Sequence, residues 1–230
     1  MRDLITKILV SLHLYRPAVD FINRISARRQ ARLMKRHGLQ MLSEVCIALE
    51  KSNIHPFLTF GVLLGSFREH GFISHDFDID LGILAAEANE LMHLNLEKAG
   101  FKLVKQNYLA ANKQVFEETY NYNGIHLDIF YYFEEGNKFF TIIERPHETK
   151  DWKEANKTDG FPCDKSLVPK CDFEKHNFLG VDVLVPTDTD GWLRAIYSDS
   201  YMTPVKNFKA SDFKTQIIHT NYRTYRKIFQ

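Results

Sequence analysis

"GVLLGSFREHGFISHDFDIDLGIL", residues 61–84, sets aspartates at every second position, Asp76, Asp78 and Asp80, between a glycine-containing stretch and the apolar run from Leu81 to Leu84. On an extended strand, residues two apart lie on one face with Cα atoms about 6.5–7 Å apart. Three carboxylates held that close repel one another. Either a cation is bound among them, or basic side chains neutralise them, or the row faces open water. The strand "IDLGIL" is followed by "AAEANELMHLNLEKAG", a helical stretch closed by Gly100. A strand running into a helix at this point sets an α/β reading.

Working towards the N-terminus, "HPFLTFG" (55–61) is strand-like, with aromatic and β-branched content ending at Gly61. Before it, Leu39, Leu42, Val45, Cys46 and Leu49 recur at helical intervals, so 39–51 is a helix with a buried face. Residues 3–14 and 18–36 also read as helices, separated near Pro17. The second carries Arg24, Arg28, Arg29, Arg32, Lys35 and Arg36, with no acidic residue between Asp20 and Glu44. Positions 24, 28, 32 and 35 form one stripe.

Working towards the C-terminus, "FKLVKQ" and "KQVFEETY" suit a hairpin, and "GIHLDIFYYF" (124–133) is the strongest strand signal in the chain. "FFTIIE" and "FLGVDVLVP" are further strands, and "DTDGWLRAIYSD" is a helix capped by Asp188 or Asp190. The expected fold is α/β (α+β), a mixed and mostly antiparallel sheet flanked by helices. Residues 1–37 form a basic helical arm and 38–230 the main domain.

The chain has 230 residues and a formal net charge of +1, so it can bury a real core and gives no general argument for nucleic-acid binding. Cys46, Cys163 and Cys171 are odd in number and lack paired-ligand spacing, which suits free thiols in a reducing compartment; zinc on Cys163, Cys171 and His176 is the weaker reading. The N-terminal apolar stretch is broken by Lys7, His13 and Arg16, and no segment approaches the ~18 apolar residues of a membrane span. A cytoplasmic protein is expected, soluble or peripheral on the inner membrane face.

Three features carry chemistry. Gly65 and Ser66, followed by Arg68, would form a turn offering backbone and hydroxyl donors to a phosphate. Asp78 and Asp80 on one strand face suit a hard divalent cation. Asp128 lies in a strand whose opposite face is Ile125, Leu127, Ile129 and Tyr131; an aspartate there is costly to bury without a partner, and a shared metal supplies one. Asp76 either orients the site as a neighbour of the ligands or stabilises a turn. Arg68 either contacts phosphate or balances the aspartates. His75 and His126 read as packing or hydrogen-bonding residues, because hard cations prefer oxygen.

Read together, these residues resemble the LicD family of the nucleotidyltransferase superfamily, which includes phosphorylcholine transferases and is related to fukutin-type proteins. Its pattern G-T-L-L-G-x-x-R-x-x-G-F-I-P-W-D-x-D-I-D is matched by Gly61, Leu63, Leu64, Gly65, Arg68, Gly71, Phe72, Ile73, Asp76, Asp78, Ile79 and Asp80. "LDIF" (127–130) and "VLVPTDTDGWLRAIYSDSYMTP" fit as well, so the resemblance covers roughly residues 38–205. Ser74-His75 replace the usual Pro-Trp, Phe77 a common polar residue, Val62 a threonine and Ser198 a frequent glycine.

The resemblance implies a metal-dependent transferase on a nucleotidyltransferase-like fold. It would move a phospho-substituent, typically phosphocholine, from a CDP-linked donor such as CDP-choline to a hydroxyl of a cell-surface glycan or its lipid-linked precursor. Asp78, Asp80 and Asp128 would hold Mg²⁺ or Mn²⁺, and Asp128 would also accept the proton of the attacking hydroxyl. Gly65, Ser66 and Arg68 would bind the nucleotide's phosphates, and the basic stripe would meet an anionic membrane. Two alternatives stand beside it: a nucleotidyltransferase moving NMP from an NTP, and a non-catalytic member that binds a glycan or partner. No nucleic acid is expected.

Overall fold

A computed structural model describes residues 15–74, 76–205 and 216–229, with side chains from residue 26 onward. The expected helix 3–14, Arg24's side chain and His75 lie outside the described residues. A 36-residue helix, α1 (Tyr15–Glu50), opens the described chain. It runs through both expected helices and across the expected 37/38 boundary. Pro17 is tolerated because it lies in the first turn, where the missing N–H has no intrahelical partner anyway. Gly38 does not end the helix: a Cβ there would press on Met34 Sδ at 3.1 Å and the Phe72 ring at 3.3 Å. Its bare backbone is a packing notch. Met34, Met41, Leu42, Val45 and Leu49 then bury one face against the sheet.

Asn53, in the left-handed region, ends that helix, and the short buried strand β1 (Phe57–Leu58) follows. The chain does not stay extended to Gly61. Phe60 takes φ +42° and turns it into α2 (Phe60–Arg68). Strand β2 (Asp78–Leu84), a 3₁₀ turn at Ala85–Glu87 and α3 (Leu91–Lys98) come next. Then follow β3 (Lys102–Leu109), β4 (Val115–Tyr122), β5 (Ile125–Glu135), β6 (Lys138–Glu144) and α4 (Trp152–Lys157). The chain continues through β7 (Phe161–Pro169), β8 (Phe173–Phe178), β9 (Val181–Pro186), α5 (Thr189–Tyr197) and β10 (Ile217–Ile228). The single strand expected at 178–186 is the turn and second arm of a hairpin, β8–β9, reversed at Leu179–Gly180. Asp188 caps α5 by accepting from Gly191 N–H at 3.0 Å.

The ten strands form one mixed sheet in the order β4-β3-β10-β7-β6-β5-β2-β1-β9-β8, antiparallel except at β2–β5 and β1–β9. A further pairing of β4 with β5 closes β5-β4-β3-β10-β7-β6 into a hydrogen-bonded circuit. The remaining strands extend from β5 as an open wing beside α1 and α2, while α5 packs mainly on β7 of the circuit. The core under the wing is aromatic. Phe57 stacks on Phe173 at 4.1 Å and meets Trp192 edge-on at 5.5 Å. Gly82 leaves the space for that ring, since any Cβ would overlap it.

Strand β5 is the hinge between circuit and wing, and its register positions the chemistry. Asp80 on β2 lies directly opposite Asp128, and Asp128 lies directly opposite Thr119 on β4. Alternation then buries Leu127 and Ile129 on the far face, as the apolar pattern around Asp128 predicts.

Candidate active site

Carboxylate oxygens of Asp78, Asp80 and Asp128 lie within 4.8 Å of one another. Among the described residues this is the one group of three such side chains drawn close enough for a metal; Cys163, Cys171 and His176 form none. Burial and mutual repulsion push all of these acids upward. Asp78 rises to about 7, through burial first and then its contact with Asp76. Asp128 rises to about 6 through burial and the charge of Glu117. Asp80 rises well above the carboxylate range through burial and the charges of Asp78 and Asp128. Oxygen-only donors, close spacing and mutual repulsion fit a hard divalent cation, which would replace repulsion by attraction.

The N-terminal end of α2 meets this row. Gly61 N–H donates to Asp80 Oδ2 at 3.2 Å, and Thr59 N–H to the Asp80 carbonyl at 3.3 Å. A Cβ on residue 61 would overlap Asp76 Oδ2, so glycine is what lets that carboxylate lie on the helix backbone. Asp76 is thus packed against the row, and burial together with its contact with Asp78 leaves both carboxyls raised. The dipole of α2 adds partial positive charge on the same side.

The expected phosphate turn at Gly65–Ser66 is not a turn. Both residues lie inside α2, and neither lines the cleft. Gly65 is there for close approach, because a Cβ would collide with the Gly71 carbonyl. Ser66 is buried, with its hydroxyl on His176 Nε2 at 2.9 Å. Arg68, at the end of the same helix, does reach the cleft. Its Nε pairs with Glu69 at 2.9 Å and its Nη1 donates to the Tyr201 carbonyl at 3.1 Å. It therefore ties α2 to the segment after α5, with donors left over for a ligand. His126 is exposed.

Asp76, Asp78 and Asp80 line the floor of a cleft of about 880 Å³. One side is Phe60, Phe130 and Tyr197, the last held beside Asp76 and Asp80. The rim is the segment Ser198–Val205. The opposite wall belongs to the strand circuit and was not foreseen: Lys105, Asn107, Glu117, Glu144 and Arg226. Lys105 pairs with Glu117 at 2.6 Å, and Arg226 Nε donates to Glu144 Oε2 at 2.8 Å. Thr119 donates to Asp128 Oδ1, aiming that carboxylate. The alternation Lys105-x-Asn107 and Glu117-x-Thr119 was the available signal, but without register it points to no site.

The profile of the LicD/FKTN/FKRP nucleotidyltransferase domain matches residues 53–188. The chain is 23% identical over 178 residues to a mouse protein named ribitol-5-phosphate transferase FKTN, a match covering 77% of this chain and 36% of the relative. The human protein of that name is 22% identical over 179 residues, covering 78% and 36%. An uncharacterized protein, RP689, of Rickettsia prowazekii (strain Madrid E) is 27% identical over 163 residues, covering 70% and 53%. The chain thus spans about a third to a half of the length of these relatives. Because the matched residues make up more than half of the chain and contain all three converging aspartates, the chain belongs to the LicD/FKTN/FKRP family.

Proposed function

We propose that the protein transfers a phosphate-bearing substituent from a nucleotide-linked donor of the CDP type to a hydroxyl of a glycan, with Mg²⁺ or Mn²⁺ held by Asp78, Asp80 and Asp128. One observation carries this reading: carboxylates from two parallel strands converge within 4.8 Å, and those of Asp78 and Asp80 line a cleft large enough for a nucleotide conjugate. Family membership supports the reaction class. The mouse and human relatives' name makes a polyol phosphate as good a candidate for the transferred group as the phosphocholine implied by the sequence motif.

In this reaction the acceptor oxygen forms a bond to the donor's substituted phosphorus, and the phosphorus–oxygen bond to the nucleotide breaks, releasing CMP. The cation supplies charge neutralisation for phosphate oxygens. The chain's own part is positioning and proton handling. Gly61 N–H and the α2 N-terminus fix Asp80, and Asp76 is wedged on Gly61 to keep the row in place. Asp128, held by Thr119, would accept the hydroxyl proton. Arg68 and the rim segment would line the donor's side of the cleft.

The test separates Asp128's two roles. Asp128→Asn should lower single-turnover transfer by about 10²–10⁴-fold even at saturating Mn²⁺ and donor, through loss of the proton acceptor, and should weaken donor binding at limiting Mn²⁺, through loss of the third ligand. Asp78→Asn and Asp80→Asn should lose Mn²⁺-dependent donor binding itself, read by calorimetry with CDP-choline and CDP-ribitol. Full transfer by Asp128→Asn would remove it from the mechanism. Release of pyrophosphate from an NTP, with no turnover of either CDP donor, would replace the reading by nucleotidyl transfer.

A further inference from the structure

Thr59, Phe60 and Gly61 turn the chain from β1 into α2, and one face of β5 grips this turn. Asp128, Phe130 and Tyr132 alternate along that face. Tyr132 is 1% exposed and Thr59 is fully buried, and their hydroxyls meet at 2.6 Å. The Phe60 ring packs on Phe130 at 4.7 Å, with Phe60 itself held at φ +42°. Gly61 N–H donates to Asp80 Oδ2 at 3.2 Å, and Asp80 lies directly opposite Asp128. The strand that supplies one of the three aspartates therefore also fixes the helix start that orients another.

The contact between the two hydroxyls withholds a side chain from its ordinary task. Thr59 stands at the N-cap of α2 with extended backbone, φ −141° and ψ 174°. A threonine there ordinarily accepts from the second or third amide of the helix. Gly61 is the second, counting from Phe60, yet the Thr59 side chain caps nothing. Its hydroxyl is turned to Tyr132, and the Asp80 carboxylate takes the place of the cap. A left-handed φ at a phenylalanine is costly and persists only where the surroundings over-determine it. Here those surroundings are Phe130 on the ring and Tyr132 on the preceding residue. An N–H on one oxygen fixes the rotation of a carboxylate, which is how partners beyond the ligands tune a metal site.

We propose that Tyr132 is a positioning residue: by holding the Thr59 hydroxyl off α2 it leaves the Gly61 N–H to Asp80, and so raises the affinity of the aspartate row for a divalent cation. The inference rests on the metal reading of the row for the effect on affinity, though not for the capping of α2 by Asp80. Without the phenol, Thr59 is free to turn onto Gly61 as an ordinary cap. Asp80 then loses the bond that orients it.

The experiment uses the full chain. Mn²⁺ alone is titrated by calorimetry, and the Gly61 amide is followed by NMR in metal-free, ¹⁵N-labelled protein. Tyr132→Phe should weaken Mn²⁺ binding by about tenfold or more, the usual scale for such partners, and should move the Gly61 resonance. Tyr132→Phe combined with Thr59→Val removes the competing hydroxyl as well, so both readouts should return towards the wild type. Two side chains that only fill space predict the reverse, a double variant weaker than the single one. Thr59→Asn is the further variant, in case the first misfolds. Asparagine is a stronger cap, so it should take Gly61 from Asp80 and weaken Mn²⁺ without lowering the Tm of the metal-free protein. Wild-type Mn²⁺ affinity with an unmoved Gly61 resonance in Tyr132→Phe, or in Thr59→Asn where Tyr132→Phe does not fold, overturns the proposal. A double variant weaker than the single one overturns it too. A wild type that binds no Mn²⁺, with the Gly61 resonance still moving and returning as expected, would sink the metal reading alone and leave the capping by Asp80 in place.

Discussion

Ser198 has φ 98° and ψ 171°, a backbone conformation essentially reserved for glycine. It caps α5 immediately after Tyr197, at the point where the cleft rim begins, and its hydroxyl meets Ser200 alone, its Oγ at 3.1 Å and its backbone N–H at 3.4 Å. Strain of this kind costs about 1–3 kcal/mol. Ser198→Gly removes it but adds unfolded-state freedom worth about 0.4–1 kcal/mol in the other direction. The variant should therefore gain on the order of 1 kcal/mol, raising Tm by about 2–4 °C for a chain of this size. A thermal melt checks it, and a lower Tm would mean the serine side chain outweighs its backbone. The sequence motif already expects glycine at this position, so the departure was legible; that the serine keeps the glycine-type conformation was not. The same holds for Gly61 and Gly65. Gly61 reads as the end of a strand and Gly65 as a phosphate-loop glycine, yet one makes room for a carboxylate and the other for a carbonyl. Sequence shows that a side chain is unwelcome, and only the fold shows what stands in its place.

At the scale of elements, what announced itself was what alternates or repeats against a buried surface. β2, β5 and the second half of α1 each bury one face, and the aspartates stood out against that pattern. What stayed hidden had other sources of stability. α2, "FGVLLGSFR", is apolar on nearly every side and lacks a side-chain cap, so its period is unreadable; the positive φ of Phe60 starts it. β10 buries only Thr224 and is held by backbone pairing to β3 and β7, which no hydrophobic period records. The basic face of α1 is legible and is exposed as a solvated stripe: Arg28, Arg29, Arg32, Lys35 and Arg36 all face solvent. We propose that this face meets anionic lipid near a lipid-linked acceptor. Each cation near such a surface contributes about 1 kcal/mol, weakening as salt screens it. Co-sedimentation with anionic vesicles should exceed that with neutral ones at low salt and fall as salt rises. Equal binding to both vesicle types would end the membrane assignment and leave the stripe as a solvated face. Among the described residues no helix is long and apolar enough to cross a bilayer.

Across the whole molecule, the titration of a few buried groups ties stability to pH and to metal. Asp78 and Asp128 are raised to about 7 and about 6, and Asp76 and Asp80 also move upward, all with burial as the leading cause. Groups raised in the folded state hold more protons there than in the unfolded chain. Stability then falls as pH rises, from the unfolded aspartate value near 4 through the folded values near 6–7. A second network works in a different window. Glu118 is fully buried and accepts from Gln106 at 2.7 Å and Tyr120 at 2.8 Å, and it pairs with His93 at 3.0 Å. Burial raises Glu118, but His93 and the other donors outweigh it, so its net shift is downward. Its stabilisation is present above the ordinary glutamate value and is lost in more acidic solution. His93 is raised by the same contact, so its contribution is full below the ordinary histidine value and fades as pH climbs past the raised one. Between pH ~4.5 and ~7 the aspartate row should therefore set the slope. Protein stripped with EDTA should lose Tm steadily across that range, each ~1 kcal/mol costing about 2–4 °C. Mn²⁺ should restore the loss increasingly towards pH 7, because it binds the deprotonated row and favours only the folded state. Asp80→Asn removes one of the repelling charges, and should flatten the EDTA curve while abolishing the Mn²⁺ recovery. Melts of both proteins at a series of pH values, with EDTA and with Mn²⁺, decide the matter. A wild-type EDTA curve that is flat or rises from pH 4.5 to 7 would show that the row is not self-repelling, and the argument for a cation among the three aspartates would lose its electrostatic basis.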